Sequence, residues 1–229
     1  PGESRGGIDH RGLRGEKNAP ILIAAADPEK PPVIRASGSG LHLISPAYVE
    51  LRHLIIEGAS GNGLNIDDGA GAPAQHLLLS HITVRDIGPK GNSDGVKLSG
   101  VDDFVIEHCR IETWGASGSG IDMVGCHRGV IQDCVFADAR SDVANAMQTK
   151  GGSEEILIRR CLFTNYGGRG VNCGGSTGLD YFRPKDAAYE AKNITIEDCI
   201  FQQGGAAIAF VGVDGAAVHH NTIYLPPRW

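Results

Sequence analysis

Charged side chains recur through the middle of the sequence at intervals of roughly one repeat. Lys97, Asp122, Lys150 and Arg169 are separated by 25, 28 and 19 residues. An unprotonated amine can act as a general base, and a neighbouring cation can stabilise the negative charge that develops in the transition state. If the fold brings successive repeats side by side, these residue types predict chemistry on an acidic substrate.

Seven short apolar segments give the sequence its internal repeat. They occupy residues 51–56, 79–84, 106–111, 131–136, 158–163, 196–201 and 218–223. In register, their fourth residues lie 28, 27, 25, 27, 38 and 22 residues apart. A nearly constant period with one long outlier is typical of a solenoid, in which each repeat stacks on its neighbours.

Each repeat also carries a segment in which apolar and polar residues alternate, the pattern of a half-buried strand. Alternation predicts an inward orientation for Leu64, Ile66, Val96, Leu98, Ile121, Met123, Met147, Val171, Cys173, Ile208 and Phe210. Glycine contributes 33 of the 229 residues, and no helical period is present. We therefore predict an all-β chain, a single right-handed parallel β-helix of about seven or eight coils over residues 1–229.

The polar positions of the alternating segments form outward columns across successive coils. One column contains Asn65, Lys97, Asp122, Gln148, Asn172 and Ala209, and the next contains Asp67, Ser99, Val124, Lys150, Gly174 and Val211. Asp94 and Arg169 precede this face, whereas His127 and Arg128 follow it. Because stacked strands lie about 4.8 Å apart, the charged residues of neighbouring coils are expected within roughly 5–15 Å of each other.

The 38-residue repeat carries an insertion at residues 174–191, with Tyr181, Phe182, Arg183 and Tyr189. The insertion predicts either a wall of a sugar-binding groove or a structurally packed loop. The full set expected to bind substrate is Asp94, Lys97, Asp122, His127, Arg128, Gln148, Asn172 and Arg183. An ordinary solvated strand face is the alternative interpretation of the same residues.

Four of the six cysteines occupy the same position of successive repeats. They are Cys109, Cys134, Cys161 and Cys199, and Asn221 continues the column. Cβ vectors of parallel stacked residues run alongside each other, which disfavours a disulfide. We predict a ladder of reduced thiols in the core, and no metal site, because no C-x₂₋₄-C pair occurs.

Composition limits the partners. The net charge of −6 argues against nucleic acid, and no apolar run long enough to cross a membrane is present. Only 6% of the residues are aromatic. A polysaccharide or oligosaccharide is the expected partner. An uncapped solenoid exposes strand edges, so we expect either a piece of a longer helix or a homo-oligomer joined through the open end.

The first coils, with NAPILI at residues 18–23, PVI at 32–34, GLHL at 40–43 and VELRHLII at 49–56, resemble pectate-lyase-like right-handed β-helices. The resemblance is greatest to the chondroitinase B and alginate lyase branch. It implies a secreted or periplasmic lyase that cleaves a uronate-containing polysaccharide by β-elimination. On the matching positions, Lys150 would be the base and Arg169, entering the same strand one coil later, would assist as the acid.

The calcium ligands of that branch are not matched, because Val143 and Asn145 stand before Lys150 and only Asp142 is acidic there. The sequence therefore assigns no certain cofactor and leaves calcium open. A second resemblance, carried by Asn92-Ser93-Asp94-Gly95 and Asp122, is to polygalacturonases. It implies an inverting hydrolase that uses Asp94 and Asp122. A non-catalytic carbohydrate-binding or structural β-helix is the third interpretation.

Overall fold

The computed structural model describes residues 2–89 and 91–224, in which the strands form three parallel sheets. The first sheet contains β1 (Glu3–Arg5), β4 (Val33–Arg35), β7 (Ile55–Glu57), β10 (Thr83–Arg85), β13 (Arg110–Glu112), β16 (Val135–Ala137), β19 (Leu162–Thr164), β22 (Ile200–Gln202) and β25 (Thr222–Tyr224). The second contains β2 (Ile8–Arg11), β5 (Leu41–Ile44), β8 (Leu64–Asp67), β11 (Val96–Ser99), β14 (Ser119–Val124), β17 (Asn145–Lys150), β20 (Arg169–Gly174) and β23 (Ala206–Val211). The third contains β3 (Ile21–Ala24), β6 (Ala47–Arg52), β9 (Ala74–Ser80), β12 (Val101–Glu107), β15 (His127–Gln132), β18 (Ser153–Arg159), β21 (Ala191–Glu197) and β24 (Val213–His219).

The chain adds one strand to each of the three sheets in a fixed order, and each strand pairs in parallel with the strand three places earlier in the chain, one coil before it. This connectivity is a right-handed parallel β-helix with about eight coils, as the sequence predicts. The turns from the second sheet to the third are one or two residues long and contain glycine after β11, β14, β17 and β23, whereas the connection after β20 is long. There, residues 175–190 form the predicted insertion, which includes a short 3₁₀ turn at Leu179–Tyr181.

Each apolar segment of the repeat proves to be two strand ends joined by a sharp bend. In the segment at 51–56, β6 ends at Arg52, His53 adopts a positive φ of 53°, and β7 begins at Ile55. The same position has a left-handed backbone in each later coil, at His81, His108, Asp133, Arg160, Asp198 and His220. Asp and His tolerate this conformation better than branched residues, so the third residue of each segment sets the corner between the third and first sheets.

Two columns of the core consist of identical side chains in successive coils. Phe136, Phe163 and Phe201 stack with ring centroids 4.9 and 4.6 Å apart. The predicted thiol ladder is confirmed, because all six cysteines are free and buried. Asn221 ends the column by accepting a hydrogen bond from the Cys199 N–H and donating one to the Ile196 carbonyl.

The residues predicted from alternation to face inward are buried, except that burial is incomplete for two of them in the last coil. Ile208 is half-buried and Phe210 is 53% exposed. Both residues lie on β23, the final strand of the second sheet in the described part of the chain. The stack therefore covers them on one side only, whereas the equivalent Val171 and Cys173 are enclosed on both sides.

We expect the six thiols to be inaccessible in the native protein and all reactive after unfolding. Hydrogen bonding to neighbouring thiols and burial raise the pKa of Cys134, Cys161 and Cys199 well above the usual range, and only the thiolate reacts readily. A thiol-reactive dye should label almost no cysteine in buffer and six in denaturant. A count of two or four in denaturant would reveal disulfides and contradict the ladder.

Candidate active site

The candidate site lies where the strands of the second sheet end, beside the insertion. A cavity of about 760 Å³ opens there between the turn that follows β8 and the 175–190 segment. Its lining includes four cationic side chains, which are those of Lys97, Lys150, Arg183 and Lys185. The ends of β11, β14 and β17 supply the floor of the cavity, and the insertion supplies one wall.

Two lysines from different coils converge on one buried carboxylate. Lys97 on β11 is in register with Asp122 on β14, and its Nζ donates a hydrogen bond to Asp122 Oδ2. Lys150, at the end of β17, brings its Nζ to 3.2 Å from the same oxygen. Asp122 is only 2% exposed, and its Oδ1 has no hydrogen-bond partner among the described residues. Two lysine side chains thus share a single carboxylate at the cavity floor.

Asp94 adds a second carboxylate behind this group. Its Oδ1 accepts a hydrogen bond from the Ser119 N–H at 2.7 Å, and its Oδ2 lies 3.9 Å from Lys97 Nζ. Burial raises the pKa of Asp94 to about 7; the nearby Asp122 charge acts in the same direction, and Lys97 opposes the shift. The charges therefore alternate along the line Asp94, Lys97, Asp122, Lys150.

Two further members of the predicted column, Gln148 and Asn172, contact the main chain. Gln148 is in register with Asp122, and Asn172 follows one coil later. Both side chains donate to the Gly174 carbonyl, at 3.4 and 3.2 Å. Asp94, Asp122 and Asn172 are buried rather than exposed, so the predicted exposed face is in part an enclosed polar layer.

Arg169 does not join Lys150. The strand register pairs Arg169 with Asn145, the first residue of β17, whereas Lys150 is the last residue of that strand. Five residues of extended strand correspond to about 16 Å, so the expected acid and base stand at opposite ends of the sheet. Lys150 ends its strand and Arg169 begins the strand one coil later, as the resemblance implies, but these two positions are not close to each other.

His127 and Arg128 lie on β15 in the third sheet, not on the sheet that carries the lysines. His127 Nδ1 is 3.3 Å from Asp102 Oδ1, and its Nε2 faces the carbonyl oxygens of Gly152 and Arg183. Arg128 donates to both carboxylate oxygens of Asp103. Both side chains therefore make structural contacts on the third sheet, and their substrate-binding role stays a prediction.

Arg183 fastens the insertion to the third sheet. Its guanidinium donates to Asp102 and to the Gly125 carbonyl. Burial of Asp102 disfavours its ionised form, but contacts with His127 and Arg183 outweigh this effect and hold the pKa of Asp102 well below its usual range. Arg183 also borders the cavity, and its predicted contact with a substrate carboxylate stays a prediction.

Glu190 fastens the other end of the insertion. Its carboxylate accepts hydrogen bonds from the Gly151 N–H at 2.8 Å and from the N–H and hydroxyl of Thr177, both at 2.7 Å. Gly151 directly follows Lys150, so this carboxylate ties the cavity wall to the strand end that carries the lysine. Hydrogen bonds of Arg183 and Glu190 therefore hold the insertion on both sides.

A family model described as right handed beta helix region matches residues 33–181 of the sequence. The chain belongs to this right-handed beta-helix family. The match covers β4 through β20 and therefore the coils that carry Lys97, Asp122 and Lys150. No curated protein matches the sequence.

Two solved structures share the fold at low identity. The crystal structure of alginate lyase from Paenibacillus sp. str. FPU-7 superposes with a TM-score of 0.67 at 17% identity, over 98% of this chain and 88% of that chain. The A-module of the Azotobacter vinelandii mannuronan C-5 epimerase AlgE6 gives a TM-score of 0.58 at 14% identity, over 97% of this chain and 57% of that one. These similarities establish the β-helix architecture.

Asp102 and Glu190 are the residues of this β-helix that sequence reasoning missed. Asp102 lies 81 residues from its partner Arg183, and Glu190 lies 39 residues from Gly151. Neither belongs to a repeated column, so the sequence carries no periodic signal for them. Among residues 2–89 and 91–224, no group of three or more His, Cys, Asp or Glu side chains is placed to hold a metal ion. In the same part of the chain, no helix is long and apolar enough to cross a membrane.

Proposed function

We propose that this β-helix protein is a polysaccharide lyase that cleaves a uronate-containing polysaccharide by β-elimination in the cavity at the end of the second sheet. The observation that carries the proposal is the convergence of Lys97 and Lys150 on the buried carboxylate of Asp122 at the cavity floor. Four cationic side chains and two acidic ones, Asp68 and Asp180, line the cavity in a chain whose net charge is −6. Local positive charge attracts an acidic substrate.

Charge balance favours Lys150 as the base. The unprotonated Lys150 amine takes the proton α to the uronate carboxyl, the electron pair forms the C4–C5 double bond, and the C4–O bond breaks. The leaving glycosidic oxygen takes up a proton from water, and the Lys150 ammonium returns its proton to the solvent. Asp122 keeps Lys97 as a partner while Lys150 is uncharged, so no buried carboxylate is left unpaired. The ammonium of Lys97 stabilises the negative charge that builds up on the substrate carboxylate.

The resemblance of the sequence and of the fold supports the same reaction class. The structure with a TM-score of 0.67 is named an alginate lyase, and the second is named a mannuronan C-5 epimerase. Elimination and C5 epimerisation of a uronate both begin with removal of the same proton. Arg169, about 16 Å along the sheet from the level of Lys150, is assigned to a more distant unit of the polysaccharide.

The raised pKa of Asp94 favours a second candidate, an inverting hydrolase in which Asp94 is the general acid and Asp122 the base. Asp94 is only 3% exposed, however, and one of its oxygens is occupied by the Ser119 N–H. A glycosidic oxygen could reach the remaining oxygen only if the Lys97 side chain moved aside, because its Nζ lies 3.9 Å from that oxygen.

The test is a screen on alginate, polygalacturonate, chondroitin sulfate and a heparinoid, with added calcium and with a chelator. We expect an increase in the ultraviolet absorbance of the unsaturated uronate on at least one of these substrates. Reducing ends without this absorbance would indicate hydrolysis. A changed uronate composition without chain cleavage, measured by NMR, would indicate epimerisation. The absence of any product would contradict an enzymatic role on these four substrates.

A further inference from the structure

We propose that Tyr181 forms a sugar-stacking subsite at the mouth of the cavity, where its ring packs on a pyranose unit next to the unit that reacts. This inference rests on the proposed function for its substrate class, an acidic polysaccharide. Tyr181 lines the same cavity as Lys97 and Lys150, so a chain that places one sugar at the lysines brings a neighbouring unit towards the insertion.

The ring of Tyr181 is exposed to solvent. Tyr181 ends the 3₁₀ turn at Leu179–Tyr181 and is 72% exposed. The other aromatic residues of the insertion are used differently. Phe182 is buried, and the Tyr189 hydroxyl donates to Glu154 at 2.9 Å. Of these three aromatic side chains, Tyr181 is therefore the one available to a ligand.

The backbone beneath the ring is fixed next to the base. The Tyr181 carbonyl oxygen lies 3.5 Å from the position that a Cβ on Gly151 would occupy, so the turn packs on the residue after Lys150. Arg183 holds the chain two residues later through Asp102, and Glu190 holds Thr177 and Gly151. An aromatic ring on a fixed wall binds with little loss of conformational entropy.

Charge and polarity complement such a ligand. A pyranose ring has an apolar face of C–H groups, which suits the face of a tyrosine ring, and its carboxylate suits the lysines of the floor. Lys185 also lines the cavity, and its Nζ donates to the Asp180 carbonyl beside Tyr181. The wall thus combines an aromatic face with a nearby cation, whereas the floor carries the reacting groups.

The test compares Tyr181→Ala, Tyr181→Phe and Tyr224→Ala with the wild type. Tyr224 is a matched control, because it is 60% exposed but lies on β25 in the first sheet, away from the cavity. On the substrate that responds in the screen, we expect Tyr181→Ala to raise KM about tenfold with little change in kcat. Tyr181→Phe and Tyr224→Ala should behave like the wild type.

Two outcomes would overturn the subsite. If Tyr181→Phe lowers kcat as much as Tyr181→Ala does, the hydroxyl acts as a proton donor and stacking is not its role. If Tyr181→Ala leaves KM unchanged, like Tyr224→Ala, the ring does not bind substrate. Calorimetric titration with saturated trisaccharides of alginate and polygalacturonate separates this inference from the proposed function. If the protein forms no product but binds a trisaccharide, and Tyr181→Ala weakens this binding, the sugar-stacking subsite is supported and the lyase activity is contradicted.

Discussion

Replacement of Lys150 with alanine is expected to abolish formation of unsaturated product, with a loss in kcat of about 10²–10⁴-fold. The reason is that Lys150 is assigned as the group that takes the proton, whereas Lys97, the other amine at Asp122, is assigned to stabilise the substrate carboxylate. The thermal transition should change little, because the side chain lies at the cavity surface and Asp122 keeps its contact with Lys97.

Arg169→Ala is the matched control for Lys150→Ala. The resemblance pairs the two residues, but the register puts Arg169 level with Asn145. We therefore expect Arg169→Ala to retain most of kcat and to alter KM for long chains more than for short oligosaccharides. Equal losses of kcat in the two variants would contradict the separation of the two residues along the sheet. Full activity of Lys150→Ala, combined with inactivity of Asp94→Asn and saturated products, would favour the hydrolase.

Asp94→Asn is expected to change the free energy of unfolding differently at two pH values. The change should be more stabilising at about pH 8 than at about pH 5, by roughly 2–4 kcal/mol. The pKa of Asp94 is raised from 3.8 to about 7 in the folded protein. Between these values the native state holds a proton that the unfolded chain has released, so the wild type loses stability as pH rises. Above about pH 7 the carboxylate is ionised in both states, and the folded protein bears the full cost of burying its charge. Asparagine carries no charge and so avoids this cost, and its amide oxygen can still accept the hydrogen bond from the Ser119 N–H.

Denaturant unfolding of the wild type and of Asp94→Asn at the two pH values measures this difference. Asp142→Asn is the control, because Asp142 is exposed and lies outside the lysine cluster. The control variant should track the wild type at both pH values. If Asp94→Asn also tracks the wild type, Asp94 is ionised throughout this range and burial does not raise its pKa.

The fold could be predicted because its signals are local and repeated. Alternation of apolar and polar residues fixes which side chains of each strand face inward, and the spacing of the apolar segments fixes which coils are neighbours. The predicted columns from Lys97 to Asp122 to Gln148 to Asn172 are the observed register of the second sheet. The thiol ladder follows from the same regularity.

The exposure of the columns could not be predicted in the same way. The alternation of apolar and polar residues predicts that Asp122 and Asn172 point away from the core, but both side chains are nearly inaccessible to solvent. Whether an outward side chain meets water depends on its neighbours across coils and on the insertion. For Asp122 the covering groups are two long lysine side chains, one of them two positions further along the next strand. Periodicity alone contains no information about such contacts.

The β-helix, the order of its coils and the strands that carry the lysines follow from the amino-acid sequence, because the period of two along each strand and the nearly constant repeat are properties of consecutive residues. The contact of Lys150 with Asp122 rather than with Arg169, and the attachment of the insertion by His127 and Arg183, become evident only when the coils are stacked. Those contacts depend on the position of each residue along its strand, and some of them join residues that are distant in the sequence, such as Asp102 and Arg183, which are 81 residues apart. Such residues come together only when the coils stack, so no single repeat specifies the contact.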